Sequence, residues 1–356
     1  MTTTIRRRVP VSLLALIVAF AGACGSSKSS KSGSGGAKLP ATTLNGSGSS
    51  FQDAFDEEVF RDFMNDVQPN VTVNYNPTGS GQGQTDLQGG LVDFAGSDSL
   101  VAAADAPKFK GTFLYVPIVS APITISYNVS GVDKLQLSAA TIAKIFSSKI
   151  TTWDAPEIKA DNPGANLPST AIVVVHRSDG SGTTANFTNY LTQAAPGDWT
   201  LGTGKVVNWA ATTIGAAKNT GVAGKIKSTN GAVGYVDFSD AKQAGLKLAS
   251  VKNAAGTVVA PSLAGATAAM AAATVSADVT VSPMNAPGTD AYPITSPTYL
   301  IVYEKQTNHN KGTALKALLE YVLGAGQSKA ESLDFAQLPD ALLAKAKAQV
   351  DKITVP

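Results

Sequence analysis

The sequence predicts an α/β fold whose ligand-binding loops gather at the carboxyl ends of its strands, and three observations predict it. Apolar runs of strand length alternate along the chain with segments of helical period. Gly/Ser-rich loops stand at several of the strand-to-helix passages. The length also favours two lobes over a single core. In open sheets of this class, ligands collect beyond the carboxyl ends of the strands.

The first residues read as an address. Arg6, Arg7 and Arg8 form a positive n-region, Val11 to Phe20 is an apolar run too short to span a bilayer, and Ala21-Gly22-Ala23-Cys24 is a small-residue cleavage site. Residues 1–23 are therefore expected to be removed. Cys24 is the only cysteine, so no internal disulfide can form. Residues 24–39 read as a flexible tether, because Gly25 to Lys38 has no apolar residue besides Ala37 and cannot offset its ordering entropy. Losing the three arginines takes Lys+Arg from 28 to 25 against 26 Asp+Glu. A near-neutral remainder argues against a nucleic-acid-binding surface. With 44% hydrophobic residues and no second long apolar run, it reads as a soluble globular protein.

Thr42 to Leu44 is a short strand candidate running into Asn45-Gly46-Ser47-Gly48-Ser49-Ser50. Phe51, Phe55, Val59 and Phe63, with Phe60 beside them, give the apolar stripe of a helix. Val71 to Tyr75 alternates as a strand and is broken by Pro77-Thr78-Gly79-Ser80-Gly81-Gln82-Gly83, with a helix expected from about Gln84. Leu91 to Asp98 reads as a strand with a polar end, and Leu114 to Tyr127 as a long one. Ser138 is a suitable N-cap for a helix to Phe146. Ala171 to Val175 is a buried strand, Thr183 to Leu191 a helix, and Gly231 to Phe238 a short strand. Ser262 to Ala273 is expected as a helical surface segment. A strand over Pro293 to Tyr303 and helices near Lys311–Leu323 and Leu338–Val350 complete the chain, and no repeat of solenoid period is visible.

Gly-Ser-Gly occurs four times, once in the tether and three times after a strand candidate and before a helix: Gly46–Gly48, Gly79–Gly81 and Gly180–Gly182. That placement aims unpaired backbone N–H groups and a helix dipole at one point, which suits an anion. Glycine permits close approach of the backbone, and Ser50, Ser80, Ser181 and Thr183 each bring a hydroxyl. For any one loop the alternative is ordinary helix capping; three loops, one with an arginine, favour a shared anion. Arg177 supplies a permanent charge in a planar fork that can hold two oxygens. Asp179 either orients that guanidinium or bonds its own turn backbone. His176 should point to the other face of the strand and is read as structural. Asp98, a carboxylate near an anion site, fits an anion that carries a proton. Phosphate carries one at neutral pH and sulfate does not, and a site built to bond one hydrogen can discriminate by roughly 10⁴-fold. The alternative for Asp98 is a helix N-cap.

The segments GSGSSF at Gly46–Phe51, TGSGQG at Thr78–Gly83, VDFAGSDSL at Val92–Leu100 and RSDGSGTT at Arg177–Thr184 resemble the periplasmic phosphate-binding proteins of phosphate-specific ABC transporters. So do Leu137–Pro168, GYVDF at Gly234–Phe238 and ITSPTYLIV at Ile294–Val302, so the likeness covers nearly all of the chain from Thr43. Cys24 likewise resembles the acylated cysteine of a bacterial lipobox. The resemblance implies a two-lobed periplasmic-binding-protein fold of type II-like form, hinge-connected, with its ligand in the cleft. Lobe I would be 40–118 with 292–356 and lobe II 119–291, the chain crossing near Pro117–Val119 and Tyr292–Ser296. It implies phosphate contacts from Ser50, Phe51, Ser80, Asp98, Arg177, Ser181, Gly182 and Thr183, supported by Asp179, Gly48 and Gly79. Asp98 would accept the phosphate proton, and Asp179 would pair Arg177. It further implies inorganic phosphate as ligand with no cofactor, no metal and no catalytic residue. Delivery would be to a membrane-embedded ABC permease, from a monomer anchored by lipid on Cys24 at the outer face of the cell membrane.

Three other functions compete. A sulfate or molybdate receptor would lack a use for Asp98. A secreted phosphoester hydrolase finds no Gly-x-Ser-x-Gly elbow, no His-Glu-x-x-His and only His176 and His309 as imidazoles. A nucleotide-hydrolysing P-loop is excluded by the absence of Gly-Lys-Ser/Thr. A cell-surface adhesin that binds phosphate incidentally stays open.

Overall fold

A computed structural model describes residues 37–356; the leader, Cys24 and most of the tether lie outside the described residues. Ala37–Pro356 forms one compact unit. Its elements run β1 (Thr42–Gly48), α1 (Asp53–Asp62, prolonged by a π-helical turn to Val67), β2 (Val71–Asn76), α2 (Ser80–Gly89), β3 (Phe94–Ser97) and β4 (Phe113–Asn128). There follow β5 (Gln136–Leu137), α3 (Ala139–Phe146), α4 (Pro156–Asp161), β6 (Val173–Arg177), α5 (Gly182–Ala194), β7 (Ile214–Ala216), α6 (Lys218–Ser228) and β8 (Ala232–Asp237). The chain closes with α7 (Phe238–Gln243), β9 (Lys247–Lys252), β10 (Val258–Val259), α8 (Leu263–Ala272), β11 (Thr295–Tyr303), α9 (His309–Val322) and α10 (Asp340–Asp351).

The strands form a continuous hydrogen-bonded path β2-β1-β3-β11-β4-β8-β6-β7, with β9, β5 and β10 branching from β4. β4 holds this path together. Its residues Phe113 to Pro122 pair antiparallel with β11, whereas Ile123 to Asn128 pair with β8 and, in part, β9. The strand thus passes from one half of the sheet to the other between Pro122 and Ile123. There Ile123 N donates to Ile294 O at 2.7 Å and the Tyr292 hydroxyl donates to Ile123 O at 3.1 Å. Leu114 to Tyr127 is buried throughout, as expected of a strand covered on both faces.

In the first half, β1 pairs parallel with both β2 and β3, so the three strands end on one edge. In the second half, β6 pairs parallel with β7 and β8. Apolar helix faces cover these sheets. Phe55, Phe60 and Phe63 pack beside Leu44 and Phe94, and Phe146 and Phe187 pack beside Tyr235. Ser138 caps α3 as expected, its Oγ accepting from Thr141 N.

Several boundaries differ from the sequence reading for identifiable reasons. β1 runs on to Gly48 because Gly46, Ser47 and Gly48 still pair with Phe94, Ala95 and Gly96. α2 starts at Ser80 rather than near Gln84, because Gly79, at φ +95°, turns the chain directly into the first helical residue. α8 is not a bare surface helix: Ala266, Ala269 and Met270 are buried, the small alanines allowing close packing on the sheet. Short elements such as β7 and α7 carry too few residues to show a period. No helix among the described residues is long and apolar enough to cross a membrane.

Candidate functional site

Asp98 follows β3 and is buried, with 3% of its surface exposed. Burying a carboxylate requires hydrogen-bond donors, and three hydroxyls supply them. Ser49 Oγ donates to Oδ1, Ser80 Oγ donates to Oδ1 at 2.7 Å, and Thr183 Oγ1 donates to Oδ2 at 3.2 Å. Each donor comes from a different Gly-Ser-Gly loop, so the three loops converge on one carboxylate. A carboxylate offers about four acceptor positions. The two on Oδ1 are taken and one of the two on Oδ2 is taken, which leaves Oδ2 able to accept one more hydrogen. The N-cap alternative for Asp98 does not apply, since no helix starts there.

Arg177, the last residue of β6, has only 1% of its side chain exposed. Asp179 holds the guanidinium from one side, accepting from Nε at 2.8 Å and from Nη2 at 2.5 Å. Arginine has five N–H hydrogens, so three remain for another partner. Burial pushes the Asp179 carboxyl up, but the hydrogen bond and charge of Arg177 outweigh it and hold the group below its ordinary value. Asp179 Oδ1 also accepts from Lys218 N at 3.2 Å. Lys218 sits at φ +63°, a left-handed conformation unusual for lysine. Asp179 therefore orients Arg177, as the first of its two sequence readings has it.

The loops also touch one another. Gly81 N donates to Gly180 O at 2.8 Å, and Gly79 N donates to Gly48 O at 2.6 Å. At Gly79 a Cβ would stand 2.6 Å from Asp179 Oδ2, and Gly48, at φ +138°, lies against Gly96. Ser181 is the N-cap of α5, with Oγ accepting from Thr184 N at 3.1 Å. The amides of Gly182 and Thr183 occupy the first two positions of that helix, where no intrahelical acceptor exists. The loops that converge on Asp98 thus keep in reserve these amides, the three Arg177 hydrogens and the hydroxyl hydrogens of Ser50 and Ser181, which only accept in the bonds they make. That arrangement can hold a protonated tetrahedral oxyanion.

Three expected donors are already engaged in the structure: Phe51 N donates to Ser49 Oγ at 3.0 Å, and the Ser80 and Thr183 hydroxyls donate to Asp98. Ser50 Oγ accepts from Asn219 N at 3.3 Å and keeps its own hydrogen. His176 lies on the far side of β6. It stacks on Trp209 at 4.9 Å, and burial lowers its pKa. Trp209 stacks in turn near Tyr235 at 6.0 Å, and the Tyr235 hydroxyl accepts from Arg177 N at 3.1 Å. Cys24 lies outside the described residues. Among the described residues no cluster of His, Cys, Asp and Glu is suited to a metal ion.

Four residues of the site escaped the sequence reading. Ser49, rather than its neighbour Ser50, donates to Asp98. Asn186 Nδ2 donates to Asp98 O at 2.5 Å and to Ser296 Oγ at 2.7 Å. Asn219 Nδ2 donates to Thr183 Oγ1 at 3.2 Å, and its Oδ1 is buried without a partner. Lys205 reaches Gln84. The only available signal was the placement of Ser49 in a Gly-rich loop; the other three stand in unremarkable local sequence. A cavity of about 300 Å³ opens beside Asp98, with Asn186, Lys205, Met284 and Tyr299 in its wall.

Residues 30–325 match the family model of the PBP superfamily domain. Phosphate-binding protein PstS 2 of Mycobacterium tuberculosis is 33% identical over 370 residues, covering 98% of this chain and 99% of that protein. PstS 3 of the same organism is 36% identical over 325 residues, covering 87% of this chain and 86% of that protein. Among solved structures, a periplasmic phosphate-binding protein, PfluDING, bound with phosphate, superposes with a TM-score of 0.72 at 24% identity, over 86% of this chain and 93% of that one. A putative phosphate ABC transporter substrate-binding protein with bound phosphate from Clostridium perfringens gives 0.60 at 16% identity, over 83% and 100%. At such identities the likeness is one of fold.

Proposed function

Since the chain belongs to the PBP superfamily, and within it to the PstS phosphate-binding proteins, we propose that it binds inorganic phosphate outside the cytoplasm and delivers it to an ABC permease for import. It is a binding protein, not an enzyme, and phosphate is its ligand rather than a cofactor. The observation that carries this reading is the convergence of three Gly-Ser-Gly loops on the Asp98 carboxylate, which keeps one acceptor position on Oδ2, with the buried Arg177 at the head of the third loop. A monohydrogen or dihydrogen phosphate can give that position its P–OH while its other oxygens take the surrounding N–H and O–H groups. Sulfate at neutral pH has no hydrogen to give, and would bring an oxygen lone pair against a carboxylate lone pair.

The residues proposed to hold phosphate are Ser50, Phe51, Ser80, Asp98, Arg177, Ser181, Gly182 and Thr183, with Asp179, Gly48 and Gly79 in support. The chain is read as two lobes, 40–118 with 292–356 and 119–291, closing over the anion about the crossing strands. Closure removes water and strengthens the charge-assisted bonds. A monomer tethered through lipid on Cys24 to the outer face of the cell membrane would keep the captured phosphate near its permease. Calorimetric titration of the purified, anion-stripped protein with phosphate and then sulfate tests the reading. One-to-one binding of phosphate with no sulfate heat supports it. Equal binding of both anions would remove the role given to Asp98, and no heat with either would leave the fold alone shared.

A further inference from the structure

Lys205 lies in the segment between α5 and β7, on the second half of the sheet, and its backbone is fixed to the site. Its carbonyl accepts from Ser181 N at 3.0 Å, the N-cap residue of α5. Its ammonium leaves that half altogether and donates to Gln84 Oε1, on α2 of the first half. Gln84 is buried, with 1% of its surface exposed, and its amide orientation is dictated by its other contacts. Nε2 donates to Ser97 Oγ at 2.9 Å and to Ser99 O at 3.0 Å, the residues on either side of Asp98. With the nitrogen so placed, Oε1 must face Lys205.

A chain of contacts therefore runs from Ser181 through Lys205 and Gln84 to the residues flanking Asp98. It joins the arginine-bearing loop to the Asp98 segment without passing through the anion. Among the described residues no carboxylate forms an ion pair with Lys205, and half-burial lowers its pKa. A cation placed in a partly dry cavity wall with an amide oxygen as its side-chain partner is not explained by surface solubility. Such a bond is stronger than a neutral one, and it must break whenever the two halves separate.

We propose that Lys205 is a latch, a positioning residue that holds the two halves closed through Gln84 and so sets the rate at which bound phosphate leaves. The latch rests on the reading of the chain as a phosphate-binding protein that opens and closes. Because it acts only when the halves meet, it governs release and has little part in capture.

The test compares the full-length protein with Lys205→Met, Lys205→Arg, Gln84→Met and the Lys205→Met/Gln84→Met pair. Phosphate association and dissociation are followed by rapid mixing with radiolabelled phosphate, and Tm is measured with and without phosphate. Lys205→Met is expected to release phosphate about tenfold faster. Its association rate should stay within about twofold, its Tm without phosphate should be unchanged, and its phosphate-induced rise in Tm should be smaller. Lys205→Arg should restore slow release, and the double variant should release no faster than either single one. Unchanged release from Lys205→Met, while the unmodified protein binds phosphate, overturns the latch alone. So does a fall in Tm without phosphate that accounts for the faster release, since that marks ordinary structural support. Failure of the unmodified protein to bind phosphate overturns the functional reading and the latch with it.

Discussion

A Cβ at Gly182 would stand 2.6 Å from Asp98 Oδ2, so the first residue of α5 and the carboxylate after β3 leave no room for a side chain between them. Gly182→Ala improves local helix propensity but pushes the Asp98 carboxylate away from Thr183 and Ser80. Phosphate affinity is expected to fall about tenfold, with far-UV circular dichroism unchanged. Calorimetry on the purified variant decides it; undiminished affinity would show that Asp98 need not hold its place.

Asp98→Asn keeps one acceptor oxygen but replaces the other by an amide nitrogen with two N–H donors, facing hydroxyls that already donate. Phosphate affinity should drop about 10- to 100-fold, while sulfate affinity does not fall with it, so the preference for phosphate over sulfate shrinks. Competition titrations at neutral pH measure both.

Asp179→Asn keeps an acceptor for Arg177 but removes its charge. The folded-state pKa of Asp179 is depressed, so the pair stabilises the fold fully above the ordinary carboxyl range and loses that stabilisation as pH falls through the folded value. The Tm difference between wild type and variant should be constant from pH 6 to 8 and close below about pH 4. A difference that grew on acidification would contradict the assignment.

Asp53 behaves in the opposite sense. Burial first, then the charges of Glu57 and Asp240, push its carboxyl up to about 6. A raised acid penalises the ionised fold above that value and ceases to do so as pH falls toward the unfolded value near 3.9. Asp53→Asn is therefore expected to raise Tm at pH 7.5, with the gain vanishing by about pH 4. Thermal melts across that range check the sign.

Cys24→Ser removes the only thiol that a lipid could modify. Cells expressing it should release the protein into the soluble fraction, whereas the unmodified protein should partition with membranes and incorporate labelled palmitate. Equal partitioning of the two would show that Cys24 carries no anchor.

The parts of the molecule that were legible from sequence share a physical cause. Strands such as Val71–Asn76 and Thr295–Tyr303 are long enough to show their period, and Ser138 announces a helix by its position. Gly-Ser-Gly loops stand out because backbone approach needs glycine and an anion needs donors, and the structure brings those loops together. What was hidden is mostly tertiary. Asn186, Lys205 and Asn219 are single polar residues whose partners lie 88 or more residues away in the first two cases and 36 or more in the third. Ser49 was masked by Ser50, because adjacent serines cannot be ranked before the strand's twist fixes which one faces Asp98. β7 and β10 have three and two residues, too few for any periodic signal.

The aromatic stack behind β6 has a practical consequence. From the Arg177 backbone a hydrogen bond leads to the Tyr235 hydroxyl, and the Tyr235 ring neighbours the Trp209 indole, one of only three tryptophans in the chain. The cationic corner of the site is thus wired to a natural fluorophore. Movement of the Arg177 backbone is expected to alter the surroundings of Trp209 and to register as a change in emission, so the molecule carries its own optical gauge.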